Sequence, residues 1–305
     1  MKIWELKTYF KNYFDLIRPF TLLAPIIVSS CIMIASYFNN KVLGDFSIIL
    51  WTTVLPASFA LAILNAASNT LNQVTDIKTD KISKPYRPLI KSNIPIENAL
   101  IISILLYSLA IFISLFINPT FLFLILLISF FSITYSIPPR FKDVIFVNQL
   151  WIAIPRGLLG ILASWSVFGN PFNPLPLVIG LIAMCFLVGG SITKDIVDKE
   201  ADKKTGTKTL VNTFGIKKAA TLSLPFMIFP FCYIPMLIHS GILESYLWIL
   251  TFLSIPAFLI FYLMIKENRK EGLLENTPSW TLMYVTYFFF AFGFSVLTVI
   301  SSISA

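Results

Sequence analysis

Residues 46–80 read FSIILWTTVLPASFALAILNAASNTLNQVTDIKTD. From Phe46 to Thr75 there is no Asp, Glu, Lys or Arg, and Asp76 and Asp80 follow at once. A helix needs about 20 mostly apolar residues to cross a bilayer, and this run exceeds that. The same design returns at residues 175–202, LPLVIGLIAMCFLVGGSITKDIVDKEAD, where a charge-free run hands over to Lys194, Asp195, Asp198 and Asp202. Apolar helices that each end in a short ladder of acids predict an all-α, polytopic membrane protein with chemistry at one membrane surface.

Composition agrees. Of the 305 residues, 57% are hydrophobic and 12% charged, whereas a soluble domain carries about 25% charged residues. Mean hydropathy is +0.82, and 29 Phe are too many to hide in one water-facing core. Disordered, collagen-like, disulfide-rich secreted and soluble nucleotide-binding classes are excluded. Cys31, Cys185 and Cys232 all sit in apolar runs, with no disulfide framework or zinc spacing. The single histidine, His239, rules out a histidine-rich metal site and argues against a Ser-His-Asp triad. There is no Gly-rich phosphate loop and no G-x-S-x-G elbow, so a phosphate would need another cradle.

Working outward, apolar runs and turn signals predict nine spans near residues 20–39, 48–71, 97–117, 119–135, 145–167, 175–194, 219–240, 245–265 and 279–301. Asn118-Pro119 splits one overlong run, and the Asn- and Pro-rich 170–174 segment separates two others. Residues 1–18 interleave Trp4, Leu6, Phe10 and Phe14 with Lys2, Lys7, Lys11 and Arg18, the pattern of an amphipathic helix lying in the interface. With the N-terminus cytoplasmic, every Lys and Arg except Lys41 and Arg156 falls at the cytoplasmic end of a span or in a cytoplasmic connection. The net charge of +8 is therefore a topology signal and not a sign of nucleic-acid binding. Nine spans place the C-terminus outside. The whole chain, residues 1–305, reads as one integral-membrane unit with cytoplasmic loops at 72–95 and 194–218.

The acids are scarce but clustered. Residues four apart on a helix differ by about 40°, so Asn72, Asp76 and Asp80 share one face, as do Asp195, Asp198 and Asp202. Stacked oxygen ligands suit a hard divalent cation such as Mg²⁺. Four spans separate the two clusters, which implies two parallel four-helix halves plus a ninth helix, around a central cavity open to the cytoplasmic side. Lys81, Lys84 and Arg87 accompany the first cluster, and Lys194, Lys203, Lys204 and Lys208 the second. Carboxylates mixed with bases suit a metal-bridged polyphosphate. Either cluster alone reads as a solvated charged face; two with matched spacing and position favour a site.

At these residues the chain resembles the UbiA superfamily of intramembrane polyprenyl transferases. The likeness covers nine spans, Asn72-x-x-x-Asp76-x-x-x-Asp80 and Lys-Asp195-x-x-Asp198-x-x-x-Asp202, with Lys84-Pro85-Tyr86-Arg87-Pro88 and Tyr135-Ser136-Ile137-Pro138-Pro139 beside them. Gln73 departs from the Asp found in many members, and Ala201 from a frequent Gly. The resemblance implies Mg²⁺-dependent transfer of a prenyl group from a polyprenyl diphosphate to a lipophilic acceptor within the bilayer, with release of diphosphate. The acceptor would be an aromatic quinone precursor or a prenylated glycerol phosphate, with a tetrapyrrole and a small polyol also open; no nucleic acid or protein partner is implied. By the same resemblance, Asn72, Asp76 and Asp80 would hold one Mg²⁺ and Asp198 and Asp202 a second, with Mn²⁺ able to substitute. Asp195 would assist the second ion or polarise the acceptor. Lys84, Arg87, Lys142 and Lys194 would contact the diphosphate, with Arg18 and Arg140 behind them. Tyr135 and Ser136 would line the pocket beside the reacting carbon.

The physical logic stands beside the name. Two cations and several bases stabilise the charge that builds on a departing diphosphate, and a dry chamber protects an allylic cation from water. Arg156 falls inside the fifth span, where a charge marks either a functional site or a snorkelling side chain. If functional, it faces the chamber and meets the acceptor or the diphosphate. Residues 81–95 and 203–216 are expected to be weakly packed loops that close over substrate. The alternative from another class is a secondary transporter of cations or phosphorylated metabolites, but its charges would lie near the midplane.

Overall fold

The computed structural model describes residues 3–91, 94–266 and 277–304. Lys2, residues 92–93, Arg269, Lys270 and Ala305, all used in the sequence reading, lie outside the described residues. The described chain is helical throughout: α1 (Ile3–Leu16), α2 (Pro19–Asn39), α3 (Phe46–Thr75), α4 (Ile77–Ser83), α5 (Ile96–Leu115), α6 (Pro119–Ser136), α7 (147–165), α8 (Pro174–Thr205), α9 (Ile216–His239), α10 (Ser245–Lys266) and α11 (Pro278–Ser304).

Local chemistry sets these boundaries. Asp45 caps α3, its Oδ1 accepting from Ser47 N at 2.7 Å, and Asn118 caps α6, accepting from Phe121 N at 2.8 Å. Pro119 and Pro174 each occupy the first turn of a helix, where a missing N–H costs nothing. The turn signals that divided the long apolar runs therefore act as helix starts. Gly206, at φ 80°, ends α8 in the left-handed conformation that suits glycine.

Among the described residues, eight helices are long and apolar enough to cross a membrane: α2, α3, α5, α6, α8, α9, α10 and α11. Helix α7 is different. It runs as an α segment, a π turn at Ile154–Leu159 and a second α segment, and it carries Asn148, Gln149 and Arg156. Those polar residues keep it out of the apolar set, though it fills the position of the predicted fifth span. Phe112, Phe130, Phe229 and Phe289 are exposed on the outside of the bundle, as lipid-facing surface requires.

Two apolar cores hold the bundle together. One unites α3, α5 and α6 around Leu64, Phe121 and Ile125; the other unites α8 to α11 around Phe186, Phe231 and Phe290. Helices α2 and α7 contribute to both, through Met33 and Ile32 and through Leu162 and Ile161. Small residues permit the closest contacts. A Cβ on Gly157 would lie 2.6 Å from the Met184 Cα, and one on Gly189 would lie 2.7 Å from the Ser223 carbonyl oxygen. Helix α1 exposes Phe10 and Phe14 while burying Leu16, consistent with an amphipathic segment.

Candidate active site

A cavity of about 260 Å³ runs between the two cores and is lined by residues from both. One end is charged. Helix α3 brings Asn72 to it, and the chain bends at Asp76 (φ −105°) before α4 presents Asp80. The bend does not lose the helical register: Asp76 N donates to Asn72 O at 3.0 Å and Asp80 N to Asp76 O at 2.8 Å. The expected shared face survives for that reason. From the other half, the polar C-terminal part of α8 presents Asp195, Asp198 and Asp202 to the same cavity, all buried.

Each acid of the first motif is met by bases. Arg140 Nη2 donates to Asp76 Oδ1 at 2.9 Å, and Lys142 Nζ pairs with the same oxygen. Arg87 Nη1 pairs with Asp80 Oδ2 at 2.5 Å. Burial works to raise the Asp76 pKa, but Lys142 first, then Arg140, hold it below the usual carboxylate range. At Asp80 burial prevails over Arg87 and Lys84, and the pKa is raised. Lys142 is pushed down to about 8 by burial, against the pull of Asp76. Lys142 also donates to Asn72 Oδ1 at 3.2 Å.

The second motif is arranged differently. Lys84, from the first half, donates to both oxygens of Asp198 at 2.5 and 2.7 Å. Asp195 accepts from the neutral amide of Gln149 at 3.1 Å. Asp202 is 6% exposed and forms no ion pair with any described base. Lys194 donates to Tyr135 Oη at 3.0 Å, and Tyr135 in turn donates to Asn148 Oδ1 at 3.1 Å.

Of the residues singled out in the sequence, Arg18, Asn72, Asp76, Asp80, Lys84, Arg87, Tyr135, Arg140, Lys142, Arg156, Lys194, Asp195, Asp198 and Asp202 all line this cavity. Ser136 is not among the residues that line the cavity; it is buried and donates to Asn72 Oδ1 at 3.4 Å. Parts of the two loops are anchored. Lys84 and Arg87 are each 5% exposed and tied down by their acid partners. Thr209 caps a short helix, Leu210–Phe214, whose Leu210 and Val211 are buried. Ion pairs at Lys84 and Arg87 and the buried Leu210 and Val211 thus fix single points within the segments 81–95 and 203–216.

Sequence reasoning missed Asn148, Gln149, Trp280, Tyr284 and Tyr287. Two adjacent amides at the start of an apolar span were a usable signal for the first two, because polar groups at membrane depth are expensive. Nothing distinguishes the two tyrosines from the chain's other aromatics.

No three acids among the described residues close around a single point as a metal site, because Lys84, Arg87, Arg140 and Lys142 lie between them. The donor chemistry nonetheless fits Mg²⁺: the two motifs offer carboxylate and amide oxygens, and Asp202 is a buried carboxylate with no ion-pair partner among the described residues.

Residues 22–292 match the family model described as the UbiA prenyltransferase family. The chain belongs to the UbiA prenyltransferase family. It is an integral, multi-pass membrane enzyme of the prenyltransferase class. It is similar to a digeranylgeranylglyceryl phosphate synthase of Methanosphaera stadtmanae, at 27% identity over 92% of this chain and 98% of that one. It is also similar to the chloroplastic 2-acyl-4-prenylphloroglucinol 6-prenyltransferase of Humulus lupulus, at 27% identity over 87% of this chain and 69% of that one. The UbiA fold is seen in a homolog from Archaeoglobus fulgidus bound to GPP and Mg²⁺, with a TM-score of 0.67 at 19% identity, covering 96% of this chain and all of the other.

Proposed function

We propose that this UbiA-family enzyme transfers a prenyl group from a polyprenyl diphosphate to a lipophilic acceptor inside the membrane, using Mg²⁺ and releasing diphosphate. The observation that carries this reading is the meeting of the two acid motifs, one from each core, across a single cavity, with Lys84 of one half joined to Asp198 of the other. Two prenyltransferase relatives and the Mg²⁺- and GPP-bound homolog agree with it. A transporter would need its charged groups near the midplane, whereas here the acids gather at one end of the cavity.

On this reading Asn72, Asp76 and Asp80 hold one Mg²⁺ and Asp198 and Asp202 another, and Mn²⁺ can replace them. When bound, the ions neutralise the diphosphate oxygens and ease departure of the leaving group. The remaining work belongs to the protein. Lys84, Arg87, Arg140, Lys142 and Lys194 surround the position where negative charge grows as the allylic C–O bond breaks, with Arg18 behind them. The apolar wall, including Leu61, Leu64 and Ile128, keeps water from the allylic cation. The acceptor forms the new bond to that carbon and loses a proton. Asp195, held by an amide in place of a base, is the carboxylate assigned to receive it.

The same reading makes α7 a ninth crossing, with the N-terminus and both acid motifs cytoplasmic and the C-terminus outside. The test of the chemistry is release of pyrophosphate from geranylgeranyl diphosphate by the purified enzyme with a lipophilic acceptor. Release that needs Mg²⁺ and stops in EDTA supports the proposal; full transfer in excess EDTA overturns it.

A further inference from the structure

Helix α7 opens on two adjacent amides, Asn148 and Gln149, which are 2% and 3% exposed. Phe146, directly before the helix, has φ 65°, a strained backbone for a residue with a Cβ. Successive residues on a helix differ by about 100°, so the two amides meet different neighbours. Asn148 Oδ1 accepts from Tyr135 Oη at 3.1 Å, and that hydroxyl accepts from Lys194 Nζ at 3.0 Å. Gln149 Nε2 donates to Asp195 Oδ2 at 3.1 Å. Consecutive amides on α7 thus engage consecutive charged residues on α8, one each.

The arrangement keeps Asp195 away from bases. Asp76 and Asp198 are each ion-paired, whereas Asp195 forms no ion pair with a described residue, although Lys194 is its neighbour in sequence. Its Oδ1 accepts no hydrogen bond from a described residue, and Asp195 lines the cavity. Gln149 does not line it, and its Oε1 is buried without a hydrogen-bond partner. A buried oxygen left unsatisfied is costly, and its persistence calls for an explanation. Methionine would fill similar space with no such oxygen. What the amide supplies in exchange is a neutral N–H aimed at Asp195.

We infer that Gln149 is a positioning residue for acceptor deprotonation: it ties Asp195 Oδ2 and leaves Oδ1 free in the cavity to take the acceptor's proton. A Lys or Arg in its place would hold the carboxylate more tightly as an anion, so neutrality is part of the role. In the step served, the allylic C–O bond breaks and its electron pair leaves on the diphosphate. The acceptor's nucleophilic atom bonds to the freed carbon, and the proton on that atom passes to Asp195 Oδ1, from which water later removes it. If Asp195 is not held in place, water competes for the allylic cation and releases the free prenyl alcohol, while diphosphate still departs. This inference rests on the prenyl-transfer reading and deepens it.

The test follows products, because their ratio per turnover does not depend on how much enzyme is folded. Enzyme in nanodiscs receives geranylgeranyl diphosphate, Mg²⁺ and either a prenylated glycerol phosphate or a long-chain hydroxybenzoate. Prenylated acceptor is then measured against free geranylgeraniol. Gln149→Met should shift this ratio toward the alcohol by roughly 10-fold, part of the ~10²-fold or more that a positioned base supplies. Gln149→Asn, whose amide stops one methylene short, should shift it in the same direction by less. Asp195→Asn should shift it by about 10²-fold, and adding Gln149→Met should shift it no further, because residues that act through one group are not additive. A wild-type ratio in Gln149→Met, or a double variant showing the product of the single effects, would overturn the proposal. So would a wild type whose sole product with both acceptors is geranylgeraniol. Absence of pyrophosphate release by wild type would instead reject the prenyl diphosphate reading, and the role of Gln149 with it.

Discussion

The two acid motifs occupy matching positions in the two halves, yet their charges are balanced in different ways. In the first, Asp76 and Asp80 find Arg140, Lys142 and Arg87 within their own half of the chain. In the second, Asp198 takes Lys84 from the other half, Asp195 takes a neutral amide and Asp202 has no ion-pair partner among the described residues. The first motif is self-sufficient; the second is short of positive charge and depends on its counterpart. A cation arriving in the cavity therefore gains most from the second motif, and the Lys84–Asp198 pair couples the halves at the point where substrate must bind.

The comparison requires both motifs on one membrane side, which holds only if the polar helix α7 crosses. This is the all-or-none test. A reporter active only in the cytoplasm should be bright when fused within the 206–215 connection and in the 84–91 segment, and silent at position 170, between α7 and α8. Signal at 170 would remove α7 as a span and break the parallel between the halves.

Next in size are the acids themselves. Asp76→Asn and Asp198→Asn should each lower kcat/KM by about 10³-fold or more, on the scale of losing a charge that stabilises a transition state. Chelation of Mg²⁺ should abolish turnover in wild type. The asymmetry predicts a finer result: Asp198→Asn and Asp202→Asn should raise the Mg²⁺ concentration needed for half-maximal activity more than Asp76→Asn does. Equal shifts for all three would mean that the motifs share the cation evenly.

The cross-half pair gives an intermediate effect. Lys84→Met leaves a buried carboxylate alone, and breaking a buried ion pair from one side costs about 3–5 kcal/mol. Side-chain exposures of 6% and 10% for Lys84 and Asp198 place the pair in that class. Thermal unfolding in detergent should fall by about 5–15 °C, and saturating Mg²⁺ should restore at least half of that by replacing the missing charge. A drop that Mg²⁺ does not touch would make Lys84 purely structural and leave the second motif unconnected to the cation.

How much of this was legible in the sequence follows from what each feature depends on. The spans were legible because crossing a bilayer leaves a composition record, and their ends because the Asn118 cap and the first-turn prolines Pro119 and Pro174 are local chemistry. The acid ladders were legible because a helix repeats at short range. Partner choice was not. That Lys84 reaches Asp198, or that Ser136 donates to Asn72, depends on how distant segments pack. The burial of Lys84 and Arg87 was illegible for a related reason: a Lys or Arg looks solvent-loving until a buried acid supplies its partner. Tyr284 and Tyr287 were invisible because apolar spans are full of aromatic residues whose faces only packing distinguishes.

The smallest effect concerns Gln73, the residue that follows Asn72 in the first motif. It stands next to Asn72 and invites a reading as a weakened ligand. The structure turns it the other way. Gln73 is 1% exposed and does not line the cavity; its Nε2 donates to the Leu16 carbonyl at 2.6 Å, tying the end of α1 to α3. Asn69 adds a second tie one turn earlier, donating to Thr21 Oγ1 at 2.8 Å. An Asp at 73 would put a carboxylate against a carbonyl oxygen, with neither able to donate. Its charge would sit on the face turned away from Asp198. Gln73→Asp should therefore lower stability by about 1–3 kcal/mol, the cost of an unsatisfied buried polar group, without tightening Mg²⁺ dependence. Gln73→Met, which fills the space with no polar atom, should cost less than Gln73→Asp, with kcat changed less than about 3-fold. If Gln73→Asp instead lowered the Mg²⁺ requirement, position 73 would belong to the first motif after all, and that motif would no longer be complete in its own half.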